Sequence, residues 1–298
     1  MDSVKEFLYE VCIPAIVLLC VLAALLNIAV FSSRFHVKSR TSSLELTYSL
    51  ALSDTWTSIV IATSLFWNSY KPVVLQWHHH SFCFPLTLEA FRTGGLLTGI
   101  FHLVALAFSH YLQILRPFDH HKILPIRAIH LIIFLMWATP PFALMIYFAS
   151  WHGQGYRNES CLGIDFYENF YFRANISLII ITLIIATTAF YIRMLQKISE
   201  VRNKSTVTAS ARGKRTVVTA VLIFGTKQSV WITVLSIVVL VNIMIKTLTN
   251  PIIYATRIPE IRQFVVQKLL WRLIPLREVN QSEVFQPLRA AERPSTMI

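Results

Sequence analysis

The sequence predicts an all-α membrane protein: a seven-transmembrane helical bundle with a short or incomplete sixth helix and an amphipathic eighth helix. Three observations carry this expectation. Of the 298 residues, 55% are hydrophobic and 14% charged, and the mean hydropathy of +0.57 is too high for a soluble domain of this size. Apolar runs long enough to cross a bilayer recur along the chain. Basic residues concentrate in the loops between alternate runs, as in membrane proteins of fixed orientation.

Five apolar stretches are long enough to span the hydrocarbon core, which needs ~20 helical residues. They cover residues 11–33, 44–67, 84–115, 127–149 and 169–193. The first follows a segment with more acids than bases and is itself long enough to span, so we expect a retained helix and not a secretory signal. Of the four cysteines only two lie outside the apolar stretches, which allows one extracellular disulfide.

Lys and Arg fall mostly on one side of these spans. Of the 27, 20 lie after the first span, between the third and fourth, after the fifth, or beyond the last apolar run. Basic loops stay cytoplasmic, so the N-terminus is expected outside the plasma membrane. The net charge of +12 is then a topology signal and does not indicate a nucleic-acid partner. We expect an extracellular segment, a seven-transmembrane domain, an amphipathic cytoplasmic helix and a cytoplasmic tail at residues 1–10, 11–257, 258–272 and 273–298.

The region before the last span is too short for two full helices. Two spans and a loop must share Thr216–Thr256, which is 41 residues, whereas two spans alone need ~40. A polar interruption at Gly225–Ser229 leaves about eleven residues for the sixth helix, a rise of only ~16 Å in a core of ~30 Å. It would also place Lys227 at membrane depth, which is costly unless the side chain is buried in protein or lines water.

The last apolar run ends in Asn250-Pro251-Ile252-Ile253-Tyr254 and is followed by a basic amphipathic run. A proline is tolerated inside a transmembrane helix because neighbouring groups satisfy the freed carbonyl, so it indicates a kink. An Asn-Pro-x-x-Tyr ending followed by Glu-x-Arg-x-Phe resembles the seventh and eighth helices of rhodopsin-like (class A) G-protein-coupled receptors. Further motifs of that family occur in order: Leu26-Asn27-Ile28-Ala29-Val30, Leu50-Ala51-Leu52-Ser53-Asp54, Ser109-His110-Tyr111, Trp137 with Pro140-Pro141, and Tyr191.

This resemblance implies a receptor that binds an extracellular ligand, a small molecule or a peptide, and shifts between two packings to engage a heterotrimeric G protein. Its closest likeness is to the adenosine, cannabinoid and melanocortin branch. It implies no enzyme activity and no cofactor, and no nucleophile–base or metal-ligand spacing is apparent. A half-length sixth helix would remove the lever of activation. The alternative is therefore a non-signalling, truncated or mispredicted receptor-derived protein that modulates full-length receptors by association.

Asp54 is a carboxylate in the middle of a span and needs a cation or a proton. The family has a sodium pocket at this position, but here Lys246 stands four residues before Asn250. We hypothesise an Asp54–Lys246 ion pair in place of bound sodium; the alternatives are that Lys246 extends toward the interface or that Asp54 is protonated. The resemblance assigns these residues to a conformational core whose other members are Asn27, Trp137, Asn250, Pro251 and Tyr254.

On the outer side, the resemblance implies a disulfide between Cys83 and Cys161; the alternative is two free cysteines. Asn158 begins an Asn-Glu-Ser sequon and is the expected glycosylation site. Arg92 would meet an anionic ligand group or pair with Glu89, three residues earlier. The candidate ligand-contacting residues are Arg92, Glu89, Asn68, Tyr171 and Asn175. No metal site is expected, because adjacent histidines such as His78-His79-His80 do not converge on one ion.

On the inner side, His110 stands where the family has the arginine that contacts the G protein. A neutral imidazole cannot make the same bidentate, permanently charged contacts. Either coupling is altered or His110 is a packed interfacial histidine. Tyr111 and Tyr191 are the other residues expected to face the G protein. Basic residues of the third inner loop and of residues 257–272 are expected to contact anionic membrane lipid or the G protein.

Overall fold

The computed structural model describes residues 7–37, 41–77, 81–161, 163–203, 245–256 and 258–265. Within these ranges every regular element is helical. The predicted truncation of the sixth helix, most of the basic third inner loop, the triple histidine and the tail lie outside the described residues.

Five long helices form the body of the protein, and shorter turns connect them. These are α1 (Ile13–Ser32), α2 (Ser42–Leu65), α3 (Cys83–Leu115), α4 (Ile126–Ala149) and α5 (Phe170–Asn203). A π-helical turn, Leu8–Cys12, leads into α1, so the first helix starts a few residues before the predicted position 11. Residues 245–256 form a further helical segment, which we call the 245–256 segment, and Pro259–Phe264 form a short terminal helix.

Local sequence explains where two of the helices begin. Thr41 caps α2 because its hydroxyl accepts a hydrogen bond from the Leu44 backbone N–H at 3.3 Å. Pro125 precedes α4 in an extended conformation, which a proline adopts readily. Inside α4, Pro140 cannot donate to the carbonyl of Met136. The Thr98 hydroxyl of α3 donates to that oxygen instead, at 3.0 Å, so the helix keeps its proline without leaving a bare carbonyl.

Four helical stretches of the described residues are long and apolar enough to cross a membrane. They are Tyr9–Phe35, Cys83–Leu115, Ile126–Ala149 and Phe170–Glu200. They correspond to four of the five predicted spans. The remaining predicted span, residues 44–67, is occupied by α2. α2 is less apolar because many of its polar side chains, such as Ser49, Asp54 and Ser58, are buried against neighbouring helices and do not face lipid.

α3 lies at the centre of the described helices. α2, α4 and α5 each pack against it, and α1 packs against α2. One apolar cluster fills the half of the bundle that the sequence predicts to face the cell interior, here called the inner half; it includes Val30, Leu50, Leu106, Ile129 and Tyr254. A second fills the outer half around Leu86, Leu144, Phe148 and Phe166. The outward faces of α4 and α5 expose large apolar side chains that lipid would cover: Phe142, Ile146, Leu178, Ile185 and Leu195.

α4 packs tightly against α3 at Gly94. A Cβ added there would lie 2.8 Å from the Pro141 Cα, a backbone atom that cannot swing aside. We expect Gly94→Ala to cost ~1–3 kcal/mol through overpacking and to lower the thermal unfolding midpoint of the purified protein. Gly99→Ala is the matched control, because its Cβ would stand 3.7 Å from its nearest neighbours. Equal midpoints for the two variants would contradict this reading.

Candidate functional site

A buried carboxylate on α2 holds the 245–256 segment in place. Lys246 Nζ lies 3.0 Å from Asp54 Oδ1, and Asn250 Nδ2 donates to Asp54 Oδ2 at 2.7 Å. The Asp54 side chain is 5% exposed and that of Lys246 34%. The structure therefore contains the hypothesised ion pair, and both carboxylate oxygens have a partner. We call Asp54, Lys246 and Asn250 the carboxylate cluster.

The neighbouring helices leave room for the Lys246 ammonium group and add a third hydrogen-bonded contact to the 245–256 segment. Gly99 of α3 faces the cluster: a Cβ there would stand 3.7 Å from both Asp54 Oδ1 and Lys246 Nζ. On the other side, Asn27 of α1 donates to the backbone carbonyl of Thr247 at 3.0 Å. Pro251 and Tyr254 are buried below the cluster, and Tyr254 belongs to the inner apolar core. Four elements, α1, α2, α3 and the 245–256 segment, thus meet at one polar site.

A buried histidine links α2, α3 and α4 beside the cluster. His102 is fully buried, with Nδ1 2.8 Å from the Thr98 carbonyl and Nε2 2.7 Å from Ser49 Oγ. A carbonyl only accepts, so Nδ1 carries the proton and Nε2 accepts from the serine hydroxyl. Ser49 Oγ in turn accepts from Trp137 Nε1 at 3.1 Å. Sequence reasoning found Trp137 but missed His102; a polar residue in an apolar run of α3 was the available signal.

The loop between α4 and α5, residues 150–169, which the predicted topology makes the second outer loop, is fixed to α3 at several points. A disulfide joins Cys83 and Cys161 across 78 residues, with their Cα atoms 4.9 Å apart. The Phe82 N–H donates to the Ser160 carbonyl at 3.0 Å. Asn158, the sequon residue, is partly exposed, and its side chain closes a local turn by accepting from the Ser160 N–H.

An ionic triad joins the same loop to α3 one step deeper. Glu89 accepts from Arg92 on its own helix and from the hydroxyl of Tyr167, which lies on the short helix Asp165–Glu168. Burial and the neighbouring Glu89 carboxylate raise the pKa of Tyr167, so its hydroxyl stays a neutral donor through the physiological range. Arg92 therefore pairs with Glu89, which is one of the two partners that the sequence analysis considered; the other was an anionic ligand group.

Removing the Tyr167 hydroxyl should loosen the loop. We expect Tyr167→Phe to cost ~1.5–3 kcal/mol, because the hydrogen bond it deletes ends on a charged group. Tyr156→Phe is the matched control: Tyr156 donates to the neutral Thr87 hydroxyl at 3.0 Å, and that loss should cost only ~0.5–1.5 kcal/mol. Thermal unfolding of the two purified variants measures the difference. A larger loss for Tyr156→Phe would overturn this ranking.

A cavity of about 530 Å³ opens between α3, α4 and the outer half of α5. Of the predicted ligand-contacting residues, Tyr171 and Asn175 line it. Glu89, Arg92 and Asn68 do not: the first two belong to the triad, and Asn68 donates to the Ser64 hydroxyl at 3.3 Å. The structure thus does not bring the five predicted ligand-contacting residues together in one site.

A polar network joins α3 to α2 around Ser109 and His110. Ser109 Oγ lies 2.9 Å from Ser43 Oγ of α2, and Gln113 donates to that same Ser43 hydroxyl at 2.7 Å. His110 Nδ1 lies 3.3 Å from Gln113 Oε1 on its own helix. Both His110 and Ser109 therefore have partners within α2 and α3. Tyr111 lies beside Phe190 of α5, with ring centroids 5.4 Å apart.

A profile of the 7 transmembrane receptor (rhodopsin family) matches residues 23–254. The chain belongs to the rhodopsin family of seven-transmembrane receptors. The match runs from the first helix to Tyr254 and confirms the predicted all-α seven-transmembrane fold, and with it a multi-pass membrane protein of the receptor class. It supports the family as a whole and no single branch. A search of curated proteins finds no match.

This rhodopsin-family receptor also contains a second buried carboxylate, Glu45, which the sequence analysis did not identify. Glu45, at the inner end of α2, is 4% exposed; Arg34 donates to it at 2.9 Å, and His130 Nε2 of α4 lies 3.9 Å away. Glu45 therefore ties α2 to Arg34, which follows α1, and lies close to α4. An acidic residue in the first turn of a span, on the basic side of the membrane, was the sequence signal.

Proposed function

We propose that this receptor transmits the binding of an extracellular ligand to a heterotrimeric G protein at the plasma membrane, with its N-terminus outside. The observation that supports this most is the carboxylate cluster. It joins α2 to the segment that carries Asn250, Pro251 and Tyr254, midway between the outer loop and the inner face. A ligand that changes the packing of the outer half can alter this junction, and the altered junction can change the packing of the inner face.

In this proposal the members of the junction act as a conformational switch. The cluster (Asp54, Lys246, Asn250) holds the inactive packing, and Asn27, Trp137, Pro251 and Tyr254 transmit its rearrangement. His110, Tyr111 and Tyr191 face the G protein; Tyr191 is 41% exposed near the inner end of α5. The ion pair stands where a bound cation would otherwise balance Asp54, so the protein carries its own counter-ion.

Topology and surface chemistry supply the remaining assignments. The disulfide, the sequon at Asn158 and the ionic triad lie at one end of the bundle, and we assign this end to the outside of the cell. We also assign residues 1–10 to the outside, as an extracellular N-terminus. Exposed Lys197 lies at the opposite end, at the start of the basic third inner loop. We assign residues 11–257 to the membrane domain, 258–272 to a membrane-associated helix that contacts anionic lipid, and 273–298 to the tail. Asn158 is the proposed site of glycosylation.

The proposal is tested by guanine-nucleotide exchange. Membranes containing the receptor and each G-protein class in turn should bind labelled GTPγS faster than membranes without receptor. Tyr254→Ala, which removes a buried ring of the inner core, should abolish the difference. Surface expression and the Cys83–Cys161 bond serve as checks of folding. Exchange at background level with every class, before and after addition of tissue-extract fractions, would refute coupling.

A second function is favoured by one observation. His110 and Ser109, which replace the charged residues of the family motif, are engaged with Gln113 and Ser43 and present no fixed positive charge to a G protein. A receptor-derived protein that does not signal, and instead modulates full-length receptors by helix association, would have this inner face. Co-purification with a full-length receptor, together with background exchange, would support that alternative.

A further inference from the structure

The cavity beside α3 has the shape of a cleft between two helices. α4 and α5 each pack on α3, and Tyr147 and Phe172 stack across the gap at its outer end, with ring centroids 4.9 Å apart. Below this stack the cleft continues down to Pro140, Phe101 and Ile179. The lining residues of α5 run from Tyr171 to Ile179, a rise of ~12 Å along the helix axis. The cleft is therefore elongated and runs parallel to the helices.

The second outer loop forms its roof. Trp151 and Asn169 line the outer end of the cavity, and Trp151 stacks on Phe166 of the loop, with ring centroids 6.3 Å apart. The disulfide and the ionic triad hold this loop on α3. Entry from the aqueous side is thus obstructed by a fixed element.

The side of the cleft faces lipid. The residues that flank the opening are apolar and exposed on the membrane-spanning helices: Phe142 and Ile146 on α4, and Leu178 and Ile179 on α5. Among the described residues no other helix covers this opening. A molecule that enters sideways comes from the bilayer and need not pass through water.

The lining selects the chemistry of the occupant. None of the described lining residues is charged; the polar side chains near the roof are Asn169, Tyr171 and Asn175, and the deeper walls are apolar except for Thr139. Unpaired charge in such a site would be costly, whereas an uncharged hydroxyl or amide finds partners at the roof. A volume of about 530 Å³ suits one hydrocarbon tail and a small head.

We propose that this cleft binds a neutral single-tailed lipid drawn from the outer leaflet, with its polar head under the second outer loop and its tail along α3 and α5. The site is separate from the carboxylate cluster and from the G-protein face. Its occupancy does not depend on whether the receptor couples.

The test is photo-crosslinking of the receptor in lipid nanodiscs with an alkyne-tagged, photoactivatable monoacylglycerol. We expect label on peptides of α4 or α5 that line the cleft, and competition by unlabelled monoacylglycerol. Ala143→Phe and Thr139→Phe place a ring in the cleft at exposed positions. Each should reduce labelling roughly tenfold, the equivalent of ~1.4 kcal/mol.

Leu131→Phe is the matched control, since Leu131 is 59% exposed on α4 and lies outside the cavity lining; its labelling should equal that of the wild type. Each variant is first compared with the wild type for its thermal midpoint and disulfide. Equal labelling of the two cleft variants and the wild type would overturn the proposal. So would equal labelling by a diacyl phosphatidylcholine probe, which indicates general bilayer contact, or by a free fatty acid probe, which indicates no preference for a neutral head. Labelling requires no G protein, so a failed exchange assay leaves this result intact.

Discussion

Lys246→Ala is expected to destabilise the receptor by about 3 kcal/mol in the absence of sodium, and added sodium should restore much of the loss. The substitution leaves Asp54 buried with only Asn250 as a partner. Breaking a buried ion pair by removing one member costs ~3–5 kcal/mol, and the lower end applies because a third of the Lys246 side chain is exposed. Sodium can fill the vacated space, since Gly99 adds no side chain there.

The measurement is thermal unfolding of purified receptor in sodium chloride and in choline chloride at equal ionic strength. The wild type should unfold at the same midpoint in both salts. The double variant Asp54→Asn/Lys246→Met removes both charges and should lie close to the wild type, again without sodium dependence. A wild type that sodium stabilises, or a Lys246→Ala variant with an unchanged midpoint in choline, would show that the ammonium does not act as the counter-ion.

The second large effect is expected from Cys83→Ser/Cys161→Ser. The disulfide closes a long segment, 78 residues in sequence, and its loss should cost ~2–4 kcal/mol through the greater freedom of the unfolded chain. The loop should also loosen locally, because it roofs the cleft and carries Tyr167. We expect faster tryptic cleavage after Arg157, an exposed loop residue.

Cys12→Ser is the control, since Cys12 is a free, partly exposed cysteine of the first helix. Its midpoint should stay within ~0.5 kcal/mol of the wild type, as for most surface changes. Cleavage after Arg157 should also keep its wild-type rate. If the disulfide variant shows unchanged cleavage and an unchanged midpoint, the remaining contacts of Tyr156 and Tyr167 hold the loop without it.

Much of the fold was predictable because membrane spans impose a strong pattern. Length, apolarity and the placement of Lys and Arg located the long helices within about three residues, apart from the end of α5, which lies at Asn203 and not near the predicted position 193. The Asp54–Lys246 pair was also predictable, since two opposite charges inside spans have few other partners. Motif order led to the receptor family, which the profile match confirms.

The finer contacts could not be predicted because they depend on how helices rotate against one another. Sequence placed Asn68, Arg92, Tyr171 and Asn175 in one pocket, whereas the structure separates them. His102 and Glu45 were missed because a single sequence does not show which face of a helix meets a partner. The contacts of Ser109 and Gln113 with Ser43 depend on the register between α2 and α3.

The hydrogen bond from the Thr98 hydroxyl to the Met136 carbonyl limits how the helices can rearrange. If α4 slid or rotated on α3, the Met136 carbonyl would lose this hydrogen bond inside the hydrocarbon core. Pro140 has no N–H that could replace it. These two helices should therefore travel as one rigid body in any activation step, leaving displacement to elements on the far side. Distance labels on α3 and α4 should report a constant separation while labels involving residues 245–256 change.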